Sequence, residues 1–510
     1  MTERPEPESL EDLCREVDAF VRSLEHPVVA EDDAEQFDLR AANWRLAVEF
    51  GKLIFEAWNS GRTFIRRVDG LAYRDGARLG VFVRRPHARE TSTLEFHESP
   101  GTSALLDRAQ GRTESSRRLA AVLREQYRGW RLELIGHRSD REFSFSTWYT
   151  RGLLRQGQRG WAFLGLDENE PPAASDSMLA FGLIWLDWLR NHSGRSVIYG
   201  LKLFMPHEAV ALNAWRVKAL NPRGAKIELF GWTPDTAPQL VDIGAHREAE
   251  AKLVPRRQGE MLLERHRDGL RELLGKTFDR VNMVPDSSGA ALSIRVEGLE
   301  VARVEGDLSP RIFFGLEGKV RHLDPLRPWE LTKFIEAVLE RRTAGNSNHQ
   351  DEFYRLHGER WLESILIRDI TKLDPELSPG FVYSQVPAFS GEERGVIDIL
   401  SVSRSGRLAV IELKLAEEIN LPFQALDYWM RVADLAEQGR FAEYGYFPGA
   451  QLEPSPPRLY LVAPAFRFHS TLERLLRYFN PRIEVFRVGI NQGWREGVQV
   501  LFRRSLTIRP

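Results

Sequence analysis

Residues 395–414 read GVIDILSVSRSGRLAVIELK, and the reading of the whole C-terminal region turns on them. Two apolar, β-branched runs, Val396–Val402 and Leu408–Leu415, flank the turn signal Arg404-Ser405-Gly406, so the stretch predicts a β-hairpin. Asp398 and Glu412 lie inside those apolar strands, where carboxylates are rare. With the turn centred near Ser405, each acid is seven residues from it and the two face each other across the ladder. Opposed side chains there have Cβ atoms roughly 4.5–5.5 Å apart, and like charges destabilise the pair. A divalent cation held by oxygen ligands would offset the repulsion. Lys414, two residues past Glu412, shares its face of the strand. A salt-bridge cluster on a solvated face is the competing reading. The near-continuous apolar character of Val396–Leu400 and Leu408–Leu413 predicts instead a sheet covered on both faces, where such a charged trio marks a functional site.

The spacing D-x(13)-E-x-K resembles the core of the PD-(D/E)XK nuclease superfamily, especially its RecB-like and NucS-type branches, from about Asn346 to the C-terminus. Upstream, His357-GERWLESILIRDI reads as an amphipathic helix whose Glu363 matches the acid that the superfamily often carries there. Downstream, Phe423-QALDYW fits the Q-x(3)-Y pattern of the RecB-like branch through Gln424 and Tyr428, which share a helix face. The resemblance implies a restriction-endonuclease-like α-β-β-β-α-β domain that hydrolyses DNA phosphodiesters. It implies Mg²⁺ or Mn²⁺ held by Asp398, Glu412, Glu363 and the Leu413 carbonyl. Lys414 would orient or deprotonate the attacking water, and Gln424 and Tyr428 would position substrate or the lysine. The alternative is a non-enzymatic nucleic-acid-binding or assembly protein on an inactive nuclease fold.

Composition sets the frame. A chain of 510 residues predicts two to four domains, and 42% hydrophobic with 28% charged residues is globular usage. No apolar run approaches the roughly 20 residues of a membrane span. The acidic start MTERPEPESLEDL lacks the apolar core of a signal peptide. Cys14 is the only cysteine, which excludes an intrachain disulfide and a cysteine-based zinc site and suits a reducing cytoplasm. The net charge of −2 lacks the basic excess common in nucleic-acid binders. Arginine is nevertheless locally dense in Phe64-IRRVDG, Gly80-VFVRRPHAR and Gly111-RTESSRR, and it suits bidentate phosphate contact. Phosphate-loop, zincin and nucleophile-elbow motifs are missing. His469 beside Arg467 reads as a loop histidine, and Trp185, Trp188 and Trp429 read as core.

The chain reads as doubled. Arg67-VDGLA recurs as Arg295-VEGLEVA, Phe181-GLIWLDWLR parallels Phe423-QALDYWMRV, Val197-IYGLKLFMP parallels Leu459-YLVAPAF, and Leu220-NPRGAKIELFGW parallels Phe479-NPRIEVFRVGI, all in the same order. Thr150-RGLLRQGQRGWAFLGLD likewise parallels Glu393-RGVIDILSVSRSGRLAVIELK. That alignment sets Asp398 against Arg155, Glu412 against Gly165, Lys414 against Asp167 and Gln424 against Gly182, so the first copy has lost the site. The expected class is α/β built of α+β modules. Residues 1–110 and 241–345 are each a helix plus β-meander, 111–240 the degenerate α/β copy, and 346–510 the nuclease-like domain. Helices are expected at Leu10–Leu24, Leu39–Trp58, Ser115–Tyr127, Ser175–Asn191, Gln258–Leu274, Pro328–Arg342 and Ser470–Phe479. DNA is the expected partner, with no membrane and with a homo-oligomer allowed.

Overall fold

The computed structural model describes residues 9–506 apart from 25–26, 32–33, 40–42, 50–51, 59–62, 75–77, 85–91, 99–102, 137–144, 195, 234–235, 247–252, 287–288, 307–309, 317–319, 350 and 389–395. The extreme N-terminus, part of the Gly80-VFVRRPHAR cluster and Glu393–Gly395 lie outside the described residues. Within them the protein is mixed α/β, with four sheets and eleven α-helices. No described helix is long and apolar enough to cross a membrane.

The chain divides into two compact units, Met1–Gly111 with Gly315–Arg321, and the remainder. In the first unit the Leu10–Ser23 helix starts at Ser9, whose hydroxyl accepts the Asp12 N–H at 3.1 Å, a normal N-cap. Its Leu13, Val17 and Phe20 join a core with a seven-stranded antiparallel sheet spanning Pro27–Glu98. The helix expected over Leu39–Trp58 is instead the strand pair Asn43–Glu49 and Lys52–Trp58. Leu53, Phe55 and Ala57 alternate into the core, a period of two that an aromatic-rich segment satisfies only as a strand.

The second unit holds two six-stranded sheets of the same topology. In chain order the first runs Arg131–Gly136, Tyr149–Gln156, Arg159–Leu166, Val197–Met205, Lys226–Gly231 and Gln239–Leu240. The other runs Leu377–Pro387, Val396–Ser403, Leu408–Leu413, Arg458–Pro464, Glu484–Ile490 and Val500–Ser505. In both, strand order follows chain order, and successive pairings are antiparallel, antiparallel, parallel, parallel and antiparallel. Each carries a crossover helix between its third and fourth strands, Pro172–His192 and Leu421–Glu437. The helix expected over Ser470–Phe479 shrinks to Leu472–Leu476, because the chain beyond it is drawn into contact with the first half. There Leu220 and Phe479 form an antiparallel bridge.

The two halves share one hydrophobic core, in which Leu164, Leu183 and Leu203 sit with Val410, Phe423 and Leu461. Across it runs a buried ion pair. Arg216, 2% exposed, donates from Nε and Nη2 to the two carboxylate oxygens of Asp427 at 2.9 and 2.7 Å. Removing one partner of a buried pair leaves the other charge stranded, at roughly 3–5 kcal/mol. Arg216→Ala should therefore lower unfolding stability by about that amount in urea titrations, whereas Arg216→Met with Asp427→Leu should recover most of it. An Arg216→Ala protein as stable as the parent would show that the pair contributes nothing to holding the halves together.

Candidate active site at the splayed end of the hairpin

The hairpin closes through Gly406, which donates its N–H to the Ser403 carbonyl at 2.9 Å, while the Ser403 N–H reaches Arg407 O at 2.7 Å. Gly406 has φ +96°, and a Cβ there would lie 2.0 Å from the Gln451 carbonyl oxygen, so only glycine fits. The register centres on Ser405: Val402 faces Leu408 and Ile399 faces Ile411. Continued by one residue, it sets Asp398 opposite Glu412. The backbone ladder stops just there. The Leu413 N–H goes to Asp398 Oδ2 at 2.9 Å, and the Lys414 N–H turns to Val462 O on the parallel strand at 2.9 Å.

Around that opening the structure gathers Asp398, Glu412, Leu413 and Lys414 with Glu363, Gln424 and Tyr428. Lys414 Nζ stands 3.5 Å from Glu412 Oε1 and 3.5 Å from Glu418 Oε2. Tyr428 lies within electrostatic reach of Glu412, Asp398 and Lys414, and its hydroxyl accepts from Gln424 Nε2 at 3.2 Å. Both project from the Leu421–Glu437 helix, one turn apart, with Pro422 in the first turn, a position where its missing N–H costs nothing. Glu363 is brought next to Asp398 by the Gly358–Arg368 helix, whose Trp361, Leu362, Ile365 and Leu366 are buried. Leu413 lies between the acids, its side chain buried in the core on the other face of the sheet.

Besides Glu418, four partners were not read from the sequence. Glu359, one turn before Glu363, accepts the Leu415 N–H at 3.1 Å and lies within electrostatic reach of Lys414 and Asp398. The i, i+4 spacing of the two glutamates was the available signal. Arg360 donates to Glu363 Oε2 at 3.0 Å, and Gln385 Nε2 donates to the same oxygen at 2.8 Å. Gln385 has φ +56°, a conformation costing on the order of 1–3 kcal/mol, and it sits between Ser384 and Val386, which flank Asp398 in the neighbouring pairing. Arg295 arrives from the Ala291–Val296 strand of the preceding meander, donates to Ser293 Oγ at 2.9 Å and faces Glu363. Two more features of that meander press on the acid helix. The Gly298 Cα is so close to Arg360 that a Cβ would stand 2.0 Å from its carbonyl oxygen, and Glu297 Oε1 pairs with Arg368 Nη1 at 3.0 Å.

Burial dominates the electrostatics. It pushes the Glu412 carboxyl well above its ordinary pKa, and the Asp398 charge pushes it further. Burial also raises Asp398, against the pull of Arg360, the Leu413 N–H, Lys414 and a side-chain hydrogen bond with Glu412. Both carboxyls of the pair are thus biased toward the protonated form. Burial raises Glu363 to about 8, with Arg360 opposing and Asp398 adding. Burial alone would depress Lys414; Glu412, Glu359, Glu418 and Asp398 outweigh it and raise its pKa, so the ammonium stays charged. The cluster holds five carboxyls, Glu359, Glu363, Asp398, Glu412 and Glu418, against three cations, Lys414, Arg360 and Arg295. Fully ionised it would be negative, and it has room for added positive charge.

Two carboxylate oxygens, Glu363 Oε1 and Glu412 Oε2, are buried with no hydrogen-bond partner. Among the described residues no three His, Cys, Asp or Glu side chains converge as a ready metal-ligand group. Mg²⁺ binds through one or two carboxylates, completing its shell with water and substrate phosphate. Hard oxygen donors with unmet valence fit such a cation.

The first half has no counterpart. Leu461 and Leu203 each stand three residues before a proline at the end of their strands. Leu461 pairs with Glu412, whereas Leu203 pairs with Leu164, which faces Arg151. The register therefore matches Asp398, Glu412 and Lys414 with Arg151, Leu164 and Leu166, and not with Arg155, Gly165 and Asp167 as the sequence alignment had it. The short apolar strands allowed the slip; hydrogen-bonded pairing removes it. Arg151 lies over the Phe145 and Trp185 rings, 4.5 and 5.6 Å from their centroids.

The raised Glu363 carboxyl links stability to pH. An unfolded glutamate titrates near about 4.3, so the folded chain retains a proton that the unfolded chain loses between there and about 8. That contribution is complete below about pH 4 and disappears as pH rises through about 8, at up to about 1.4 kcal/mol per pH unit. In chelator-treated protein the melting temperature should fall across this window, and Glu363→Gln should flatten the fall. A Glu363→Gln profile identical to the parent's would remove Glu363 as the cause. Comparison with family models, curated proteins and solved structures gives no match to this chain.

Proposed function

We propose that the chain is a metal-dependent nuclease that hydrolyses DNA phosphodiester bonds at Asp398, Glu412 and Lys414. On this reading residues 346–510 are a restriction-endonuclease-like domain and residues 111–240 its degenerate copy, each following a meander module. The observation that carries the proposal is the buried Glu412 facing the half-buried Asp398, beside a lysine, at the point where the hairpin ladder opens. Two partnerless carboxylate oxygens there support it. The excess of acids would repel a phosphate, so a cation has to accompany the substrate. Mg²⁺ or Mn²⁺, bound through one or two of the carboxylates Asp398, Glu412 and Glu363 with the Leu413 carbonyl, would stabilise phosphate charge and acidify a bound water.

The chain's own groups have distinct tasks. Lys414, kept cationic by its acidic neighbours, offsets charge on the phosphate and orients the attacking water. Burial biases Glu412 and Asp398 toward the protonated form, whereas a cation takes their ionised form, which ties binding to pH. Tyr428 and Gln424, hydrogen-bonded to each other, fix the side of the site opposite the acid helix. Arg360 and Arg295 hold Glu363 in place from two elements.

Asp398→Asn, Glu412→Gln and Lys414→Ala should each reduce Mn²⁺-dependent cleavage of labelled DNA by about 10²-fold or more, with circular dichroism unchanged. Full activity in purified Asp398→Asn protein would sink the proposal. The non-enzymatic reading, a nucleic-acid-binding platform, draws on the lack of a ready three-ligand group among the described residues. Calorimetric titration separates the two: Mn²⁺ binding that tightens from pH 6 to 8 and is weakened by Glu412→Gln supports the enzyme, and no detectable binding supports the platform.

A further inference from the structure

We infer that one chain contains both halves of a two-fold nuclease of which a single site can cut, so that it severs one strand of a duplex per encounter and releases nicked DNA. The inference rests on the nuclease reading above. Its independent support is the way the halves meet. The Asn221 N–H donates to Tyr478 O at 2.8 Å, and the Asn480 N–H donates to Ala219 O at 2.9 Å. Asn221 and Asn480 occupy the same place in the repeated Asn-Pro-Arg segment, and Ala219 and Tyr478 each lie two residues earlier. Exchanging the halves exchanges the two bonds. The local turns repeat as well: Arg223 and Arg482 N–H groups each reach the side-chain oxygen of their asparagine at 3.0 Å. Reciprocal contact, in which i meets j and j meets i, is the mark of a two-fold interface. Here it is made within one chain around the Leu220–Phe479 bridge.

The backbones of a duplex run antiparallel, and two-fold proteins match that symmetry by offering one equivalent surface to each strand. In this chain the surfaces are equivalent in topology and unequal in chemistry. The second half offers Asp398, Glu412 and Lys414; the first offers Arg151, Leu164 and Leu166 at the matching register. Leu164 and Leu166 are buried in the shared core, and neither can hold a cation. The hydrolytic step thus occurs once. A water oxygen forms the new P–O bond, the ester P–O bond breaks, and the water's protons pass to the leaving oxygen and to solvent, leaving a phosphomonoester and a hydroxyl.

The test is digestion of supercoiled plasmid, in molar excess over full-length protein, with Mn²⁺. Asp398→Asn serves as the control for contaminating activity. Nicked circles should accumulate to most of the product before linear DNA forms. Linear DNA appearing without a nicked precursor would overturn the inference and leave the nuclease reading intact. Attack on linear or single-stranded DNA alone, with circles untouched, would do the same. Absence of cleavage on every DNA tried would instead defeat the nuclease reading.

Discussion

The structure of the site depends on one substitution in a hydrogen-bond ladder. Where the hairpin would continue, the Asp398 carboxylate takes the Leu413 N–H in place of a backbone carbonyl. This opens the strands, leaves Glu412 opposite Asp398 and frees the following backbone to bind the parallel strand through Val462. It also creates a debt of charge inside the protein, because carboxylates buried together resist ionisation. Lys414 and Arg360 offset it from different directions.

Those compensating groups are held by elements far apart in the chain. The acid helix Gly358–Arg368 begins at His357 in a left-handed conformation, φ +47°. Arg342, 1% exposed, clamps that start by donating to the carbonyls of Phe353 and Leu356 at 2.6 Å and of His357 at 3.2 Å. Glu297 and Gln385 also have positive φ, and both bind the same helix. Of the four non-glycine residues in this conformation among the described residues, three therefore surround the element that delivers Glu359 and Glu363. Strain of this kind persists only where neighbours over-determine it, and here Arg295 and Gly298 of the preceding meander, with Arg342 at the end of the Trp329–Arg341 helix, do so.

The two halves differ in what their matching strands carry. Where the second half keeps acids, the first places apolar side chains and an arginine lying over aromatic rings. Relieved of buried charge, that half can commit the same positions to packing. Its helix His207–Lys218 returns a benefit through Arg216, which grips Asp427 one residue before Tyr428. The first half thus braces the helix that carries Gln424 and Tyr428.

Much of this was legible in the residues themselves. Alternating or continuous apolar runs with a glycine turn determined the hairpin, its centre at Ser405 and the facing of Asp398 and Glu412, because strand register follows from side-chain period and turn length. Helical spacing determined that Gln424 and Tyr428 share a face, and the repeated segments after residue 150 fall on matching elements of the two six-stranded sheets. The mistaken helix over Leu39–Trp58 and the slipped alignment of the first copy share a cause: short apolar segments fit several periods and registers until neighbouring strands choose one. Tertiary structure alone decided that Arg295 enters the site, that Gln385 and Arg360 share an oxygen of Glu363, and that Asn221 and Asn480 exchange bonds across the halves. Those contacts join residues distant in the chain, and only packing of the whole unit brings them within hydrogen-bonding range.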